Sequence, residues 1–132
     1  MKTRTIKQSA VFKASPHDVY EALMDSRKHS KFTGGKAVVS RKVGGKFSVF
    51  GGGLSGSNLA LLPDKKIVQR WRCEMDNWPA RHYSTATFSL QKIKNTTRVA
   101  LAQTGVPSEC YSEISKGWRE YYWKPMKQML EK

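Results

Sequence analysis

A chain of 132 residues, 39% of them apolar, is the size of one domain and long enough to bury a single core without disulfide or metal staples. Its net charge of +14 makes the molecule repel itself and attract acidic surfaces or polyanions. No apolar run approaches the roughly 18 residues of a membrane span, MKTRTIKQSAVFKA at the N-terminus forms no signal-peptide core, and Cys73 and Cys110 are too few for a disulfide framework or thiolate zinc site. The expectation is a cytoplasmic protein with two buried free thiols, whose sequon Asn95-Thr96-Thr97 has no role.

Arg4 to Lys13 alternates, with Ile6, Gln8, Ala10 and Phe12 on one face, and reads as a strand. Ser15-Pro16-His17-Asp18 then starts a helix: the Ser15 hydroxyl can cap a free N–H, Pro16 needs no donor in the first turn, and Asp18 and Glu21 complement the dipole. Val19, Leu23 and Met24 carry that helix to about Asp25, and a second short helix spans 26–33, ending at Gly34-Gly35. The pattern is β for the next stretch. Strands are expected at 36–42, 47–50, 58–62, 66–73, 82–93 and 98–104, divided by Gly44-Gly45, Gly51 to Gly53, Pro63-Asp64, the loop Asn77 to Arg81 and Asn95-Thr96. Gly105-Val106-Pro107 is expected to break the sheet. A helix capped by Ser108 fills the remainder, with Ile114, Trp118, Tyr121, Tyr122 and Met129 along one stripe and a kink at Pro125. The order β-αα-β…β-α excludes a doubly wound parallel fold and predicts an antiparallel meander curled over the terminal helix. There is no internal repeat, and residues 1–132 form one domain.

Gly51-Gly52-Gly53-Leu54-Ser55-Gly56 matches G-x-G-x-x-G, but a dinucleotide loop opens a helix, and strand-like Asn58 to Leu62 follows here. Kinase and Walker signatures are absent. The glycines therefore read as turns and a bend, so Val at Gly53 or Gly56 is expected to damage folding, and nucleotide to give no protection against heat. His17, His29 and His82 are scattered, with no ligand spacing for a metal. His82 and Ser84 lack an acid partner, and Glu74 and Asp76 read as solvated, so no catalytic residue, metal ligand or cofactor site is expected.

Two groupings stand out. No Asp or Glu lies between Ser26 and Pro63, which hold Arg27, Lys28, Lys31, Lys36, Arg41, Lys42 and Lys46. This run reads as a solvated surface or as a docking face for an acidic partner, and no nucleic-acid motif accompanies it. Gln8, Gln69 and Gln103 fall on the apolar parity of their strands. They read either as amides paired inside the core or as polar anchors of a ligand cavity, lined with Phe12, Trp71, Phe88, Leu101, Trp118 and Tyr122.

The ordered series Ser15-Pro16-x-x-Val19-Tyr20, Gly44-Gly45-Lys46-Phe47, Gly53-x-x-Gly56, Leu62-Pro63-Asp64-Lys65-Lys66-Ile67-Val68, Trp71-Arg72, Trp78-Pro79, His82, Gly105-Val106-Pro107, Gly117-Trp118 and Tyr121-Tyr122 resembles the activator of heat-shock protein 90 ATPase family. The likeness covers about residues 4–131 and is especially close to the C-terminal domain of the eukaryotic co-chaperone. It implies an α+β helix-grip fold of the Bet v 1-like (START-like) superfamily: a curved antiparallel sheet wrapped around a long C-terminal helix, with two short helices after the first strand. It also implies docking on heat-shock protein 90 to favour its ATPase-competent state, while the superfamily often binds small apolar ligands between sheet and helix. The eukaryotic co-chaperone has a separate N-terminal domain without a counterpart in this sequence. The Trp71-to-Trp78 connection looks longer here, and Pro79-Ala80-Arg81 replaces a more acidic run. The expected function is a non-enzymatic, stand-alone, monomeric co-chaperone-like binding module; the alternative is a carrier or sensor of a small hydrophobic ligand.

Overall fold

Strand β1 (Thr3–Phe12) buries Ile6 and Phe12 and exposes Lys7, Ser9 and Val11, as period-two alternation requires. It opens a computed structural model that describes residues 1–132. Helix α1 (Pro16–Met24) starts where the sequence predicts, with Ser15 Oγ accepting from the Asp18 N–H at 3.1 Å. Asp25 ends α1 and caps α2 (Ser26–Thr33), its carboxylate accepting from the Lys28 N–H at 3.0 Å. That bond holds the Asp25 carboxyl below its ordinary pKa.

Six further strands follow: β2 (Ala37–Val39), β3 (Lys46–Val49), β4 (Leu54–Leu62), β5 (Lys66–Cys73), β6 (Ser84–Ile93) and β7 (Thr96–Pro107). With β1 they form one antiparallel sheet in the order β1-β7-β6-β5-β4-β3-β2. The first and last strands of the meander meet through β1·β7, so the chain's two ends lie at one side of the sheet and β2 at the other. There α2 covers the open edge. Ser26 Oγ accepts from the Val39 N–H and Ser30 Oγ from the Ala37 N–H, each at 2.8 Å, which satisfies donors that an edge strand otherwise leaves free.

Several boundaries differ from expectation. Strand β2 is shorter than 36–42, β4 begins at Leu54 rather than 58, and β6 begins at Ser84 rather than 82. Gly105-Val106-Pro107 does not break the sheet. Val106 pairs with Arg4 and Pro107 with Thr3, and the register shift between Arg4 and Ile6 marks a bulge in β7 at Gly105, whose φ of +78° suits glycine. A second register shift, between Asn58 and Ala60, puts the extra residue, Leu59, in β4.

The C-terminal helix is composite: α3 (Tyr111–Gly117), a π-helical stretch (Trp118–Trp123) and α4 (Lys124–Leu130). Ser108 makes no capping bond; a 3-10 turn over Ser108–Cys110 leads into α3 instead. Pro125 has no N–H for the Tyr121 carbonyl. The irregularity expected at Pro125 lies just ahead of it, where the turn widens and Lys124 N–H bonds Arg119 O, five residues back. In an α-helix, at about 100° per residue, Trp123 would point some 140° away from Trp118. The wider turn returns it to the same face, where the two indoles stack at 5.8 Å between ring centroids. Tyr121, expected on the apolar stripe, is rotated outward, and Met126 is buried in its stead.

The helix lies on the inner face of the sheet. Trp118 sits at the centre, 5.5 Å from Phe88 and 5.6 Å from Trp71 between centroids, and Phe12 meets Trp123 edge-on. Truncating one such buried aromatic to Ala costs about 3–5 kcal/mol. No Asp or Glu lies on any strand; all ten are on helices, turns and loops.

Candidate functional site

The C-terminal helix does not close the whole inner face. Between its first half and the β4–β5 end of the sheet lies a half-open cavity of about 260 Å³. Leu54, Trp71 and Cys73 form the sheet side, Ile114, Gly117 and Trp118 the helix side. Phe50 and Tyr121 stand at the mouth, both exposed, with rings 6.1 Å apart. Phe50 lies in a 3-10 turn (Phe50–Gly52) joining β3 to β4, where Phe50, Gly51 and Gly52 all have positive φ. The glycine run therefore connects two strands and opens no helix.

Of the residues expected to line a cavity, Trp71, Trp118 and Tyr122 border this one. Gln8, Phe12, Gln69, Phe88, Leu101 and Gln103 do not. Gln69 and Phe88 instead border a void of about 10 Å³ deeper in the core, and Phe12 and Leu101 are fully packed. The three glutamines are bonded. Gln103 Oε1 accepts from Trp118 Nε1 at 2.8 Å, and its Nε2 donates to Ser84 Oγ at 2.9 Å. Gln8 Oε1 accepts from Trp123 Nε1 at 2.8 Å, and its Nε2 donates to the Ser115 carbonyl at 2.8 Å. Gln69 Nε2 donates to Asn58 Oδ1 at 3.0 Å.

Asn58 is a residue that sequence reasoning missed. It is buried, and its Nδ2 donates to the carbonyls of Ser40 and Lys42 at 2.8 and 3.0 Å. It thereby holds the β2–β3 loop that carries Arg41 and Lys42. The available signal was a lone Asn between Ser57 and Leu59 in a strand segment, next to the bulge.

His29 was missed as well. It is buried between α2 and the C-terminal helix, its Nδ1 2.9 Å from the Leu23 carbonyl and its Nε2 2.8 Å from Tyr122 Oη. A carbonyl can only accept, so Nδ1 carries the proton, and Tyr122 donates to Nε2. Burial lowers the His29 pKa and raises that of Tyr122, which keeps both neutral. His17 is exposed and 3.1 Å from Asp64, and His82 bonds the Gly105 carbonyl at 2.7 Å. Ser84 donates to the Trp71 carbonyl, so His82 and Ser84 engage different partners. Cys110 is buried and Cys73 half-buried; burial pushes the Cys73 thiol up to about 11 and raises Cys110 too.

The seven basic residues all remain exposed. Arg27, Lys28 and Lys31 lie on the exposed side of α2, Lys36 follows that helix, Arg41 and Lys42 lie in the β2–β3 loop, and Lys46 starts β3. Arg41 is bound to Glu21 of α1; the other six form no ion pair.

The sequence pattern described as "Activator of Hsp90 ATPase homolog 1-like protein" matches residues 13–131. The chain belongs to this family. Among its relatives in the activator family, the "Activator of 90 kDa heat shock protein ATPase homolog" of Dictyostelium discoideum is 38% identical over 119 residues, 89% of this chain and 30% of the relative. The human homolog 1 is 30% identical over 124 residues, 94% of this chain and 36% of the relative. The chain thus spans about a third of these activator-family proteins. The fold is that of solved members: an HSP90 activator from Plasmodium falciparum superposes with a TM-score of 0.89 at 24% identity, covering 96% of each chain. The Aha1 dimer from Colwellia psychrerythraea gives 0.80 at 21% identity, covering 97% of this chain and 96% of that one. These likenesses make the fold a seven-stranded antiparallel sheet with a long C-terminal helix, the helix-grip class.

Proposed function

We infer that this domain is a non-enzymatic co-chaperone module that docks on an acidic surface of heat-shock protein 90 and favours its ATPase-competent state. The observation that carries the reading is the basic edge formed by α2, the β2–β3 loop and β3, held in place by Ser26, Ser30 and Asn58 and adjoining a sheet whose strands carry no acid. Arg27, Lys28, Lys31, Lys36, Lys42 and Lys46 make the contacts, and Arg41 braces the loop through Glu21. The names of the relatives supply the partner class. Contacts of this kind speed association and weaken with salt. The test is titration against heat-shock protein 90, with ATPase rates, at ~20 and ~150 mM salt. Binding at low salt that weakens at higher salt, and is lost in the triple variant Lys28→Glu, Lys31→Glu, Lys42→Glu with its circular dichroism unchanged, is the expected result. No binding at low salt overturns the reading.

The cavity of about 260 Å³ favours a second reading, a carrier or sensor of a small apolar molecule held between sheet and helix. Its occupant meets Trp71, Trp118 and Tyr122. Gln69 acts behind them, through Asn58, and Gln8 and Gln103 fix the indoles of the helix.

A further inference from the structure

Building on the carrier reading, we propose that this cavity selects a small amphipathic amine: an aromatic or branched apolar body with one cationic end. Three features of the site support this.

The first is charge. The protein carries 24 Lys and Arg against 10 Asp and Glu, yet the only charged residues lining the cavity are Glu74 and Glu113. Glu74 is bound to Arg72, and Glu113 has no basic partner. The rest of the lining is chiefly hydrophobic, and the aromatic rings of Phe50 and Tyr121 at the mouth, packed edge-to-face, can meet a cation as well as an apolar group. An anionic ligand would meet a carboxylate with no cation in the wall to offset it.

The second is size. Benzene fills a cavity of about 150 Å³. By the same scaling, about 260 Å³ takes on the order of ten heavy atoms.

The third is Gly117. It has ordinary helical angles (φ −60°, ψ −38°), and a Cβ there would meet only Tyr121 Cδ2, at an unstrained 3.7 Å. A glycine inside a helix is destabilising relative to alanine. No turn or close approach requires it here. Its missing side chain leaves open the helix-side wall of the cavity.

The test is calorimetric titration of the whole chain with three probes that differ in charge: 3-phenylpropylamine, 3-phenyl-1-propanol and 3-phenylpropionate. Amide chemical shifts at Ile114, Gly117 and Tyr121 locate the binding. The overall charge of +14 favours the carboxylate, so preference for the amine reports the local lining. The expected order is amine, then alcohol, then carboxylate. Glu113→Gln weakens the amine about two- to fivefold and leaves the alcohol unchanged. Gly117→Leu, which fills the space, abolishes binding of both while the fold is retained. If the alcohol or carboxylate binds as tightly as the amine, the amine preference is overturned and the carrier reading stands. If none of the three binds, or if shifts fall away from these residues, both are overturned.

Discussion

Gly117→Ala raises the stability of this protein. Glycine in a helix interior is about 0.8–1 kcal/mol less favourable than alanine, because its backbone loses more freedom on folding. The added methyl reaches Tyr121 Cδ2 at 3.7 Å and displaces nothing. Unfolding entropy of about 2.1 cal/mol/K per residue, over 132 residues, converts 1 kcal/mol into a Tm rise of about 3–4 °C. Paired thermal melts of the two proteins, followed by circular dichroism at one pH and salt, read it directly. A Tm that falls or stays level refutes the reasoning. It would mean that Gly117 meets a structural requirement of the π-helical junction, and that its lack of a side chain is no sign of a space kept open.

Gly56 behaves in the opposite way. A Cβ there would sit 1.7 Å from the Arg70 carbonyl oxygen and 2.9 Å from the Phe47 ring, so Gly56→Ala forces β4 and β5 apart and costs about 3 kcal/mol by urea unfolding. Gly53, expected to be equally intolerant, has right-handed angles and no neighbour nearer than 3.5 Å, so Gly53→Ala stays within about 0.5 kcal/mol. His29 is held neutral in the fold, with its pKa below the ordinary value. The unfolded chain therefore binds more protons near that value, and stability is lost as pH falls through and below about 6.5. Urea midpoints at pH 7.5 and 5.5 measure that loss, and His29→Gln reduces it. With the Cys73 thiol at about 11, roughly one molecule in ten thousand is thiolate at neutral pH, so Ellman's reagent labels the native protein slowly and the unfolded protein fast.

The sequence-legible part of the fold was the part fixed by short-range rules. The alternation of β1, the Ser15-Pro16 start of α1 and the meander order all follow from period and capping, and all are present in the structure. Gly105-Val106-Pro107 misled because its local chemistry is that of a breaker, while pairing with β1 across the chain turns it into a bulge. Tyr121 misled because helical spacing assumes a constant 3.6 residues per turn, and the π-helical stretch before Pro125 violates it. The parity of the glutamines was readable. Their partners were not, since Gln8 meets Trp123 at 115 residues' separation and only the packing of the C-terminal helix on the sheet brings the two together. Asn58 and His29 were overlooked because their partners, two loop carbonyls and the Gln69 amide for Asn58 and a carbonyl and one hydroxyl for His29, lie on other elements and leave no motif in the chain. The cavity's place depends on which end of the helix stands away from the sheet, a property of packing that no local pattern encodes.

The two indole–amide bonds give the C-terminal helix something like the paired pins of a lock. Trp118 enters Gln103 on β7, and Trp123 enters Gln8 on β1. Rolling the helix, or sliding it by one residue, withdraws both indoles and strands four polar atoms at once, those of the Trp118–Gln103 pair fully buried and those of the Trp123–Gln8 pair partly so. The C-terminal helix is thereby fixed in rotation as well as in position, and Tyr121 faces the three consecutive positive-φ residues Phe50, Gly51 and Gly52 across the opening from a fixed angle.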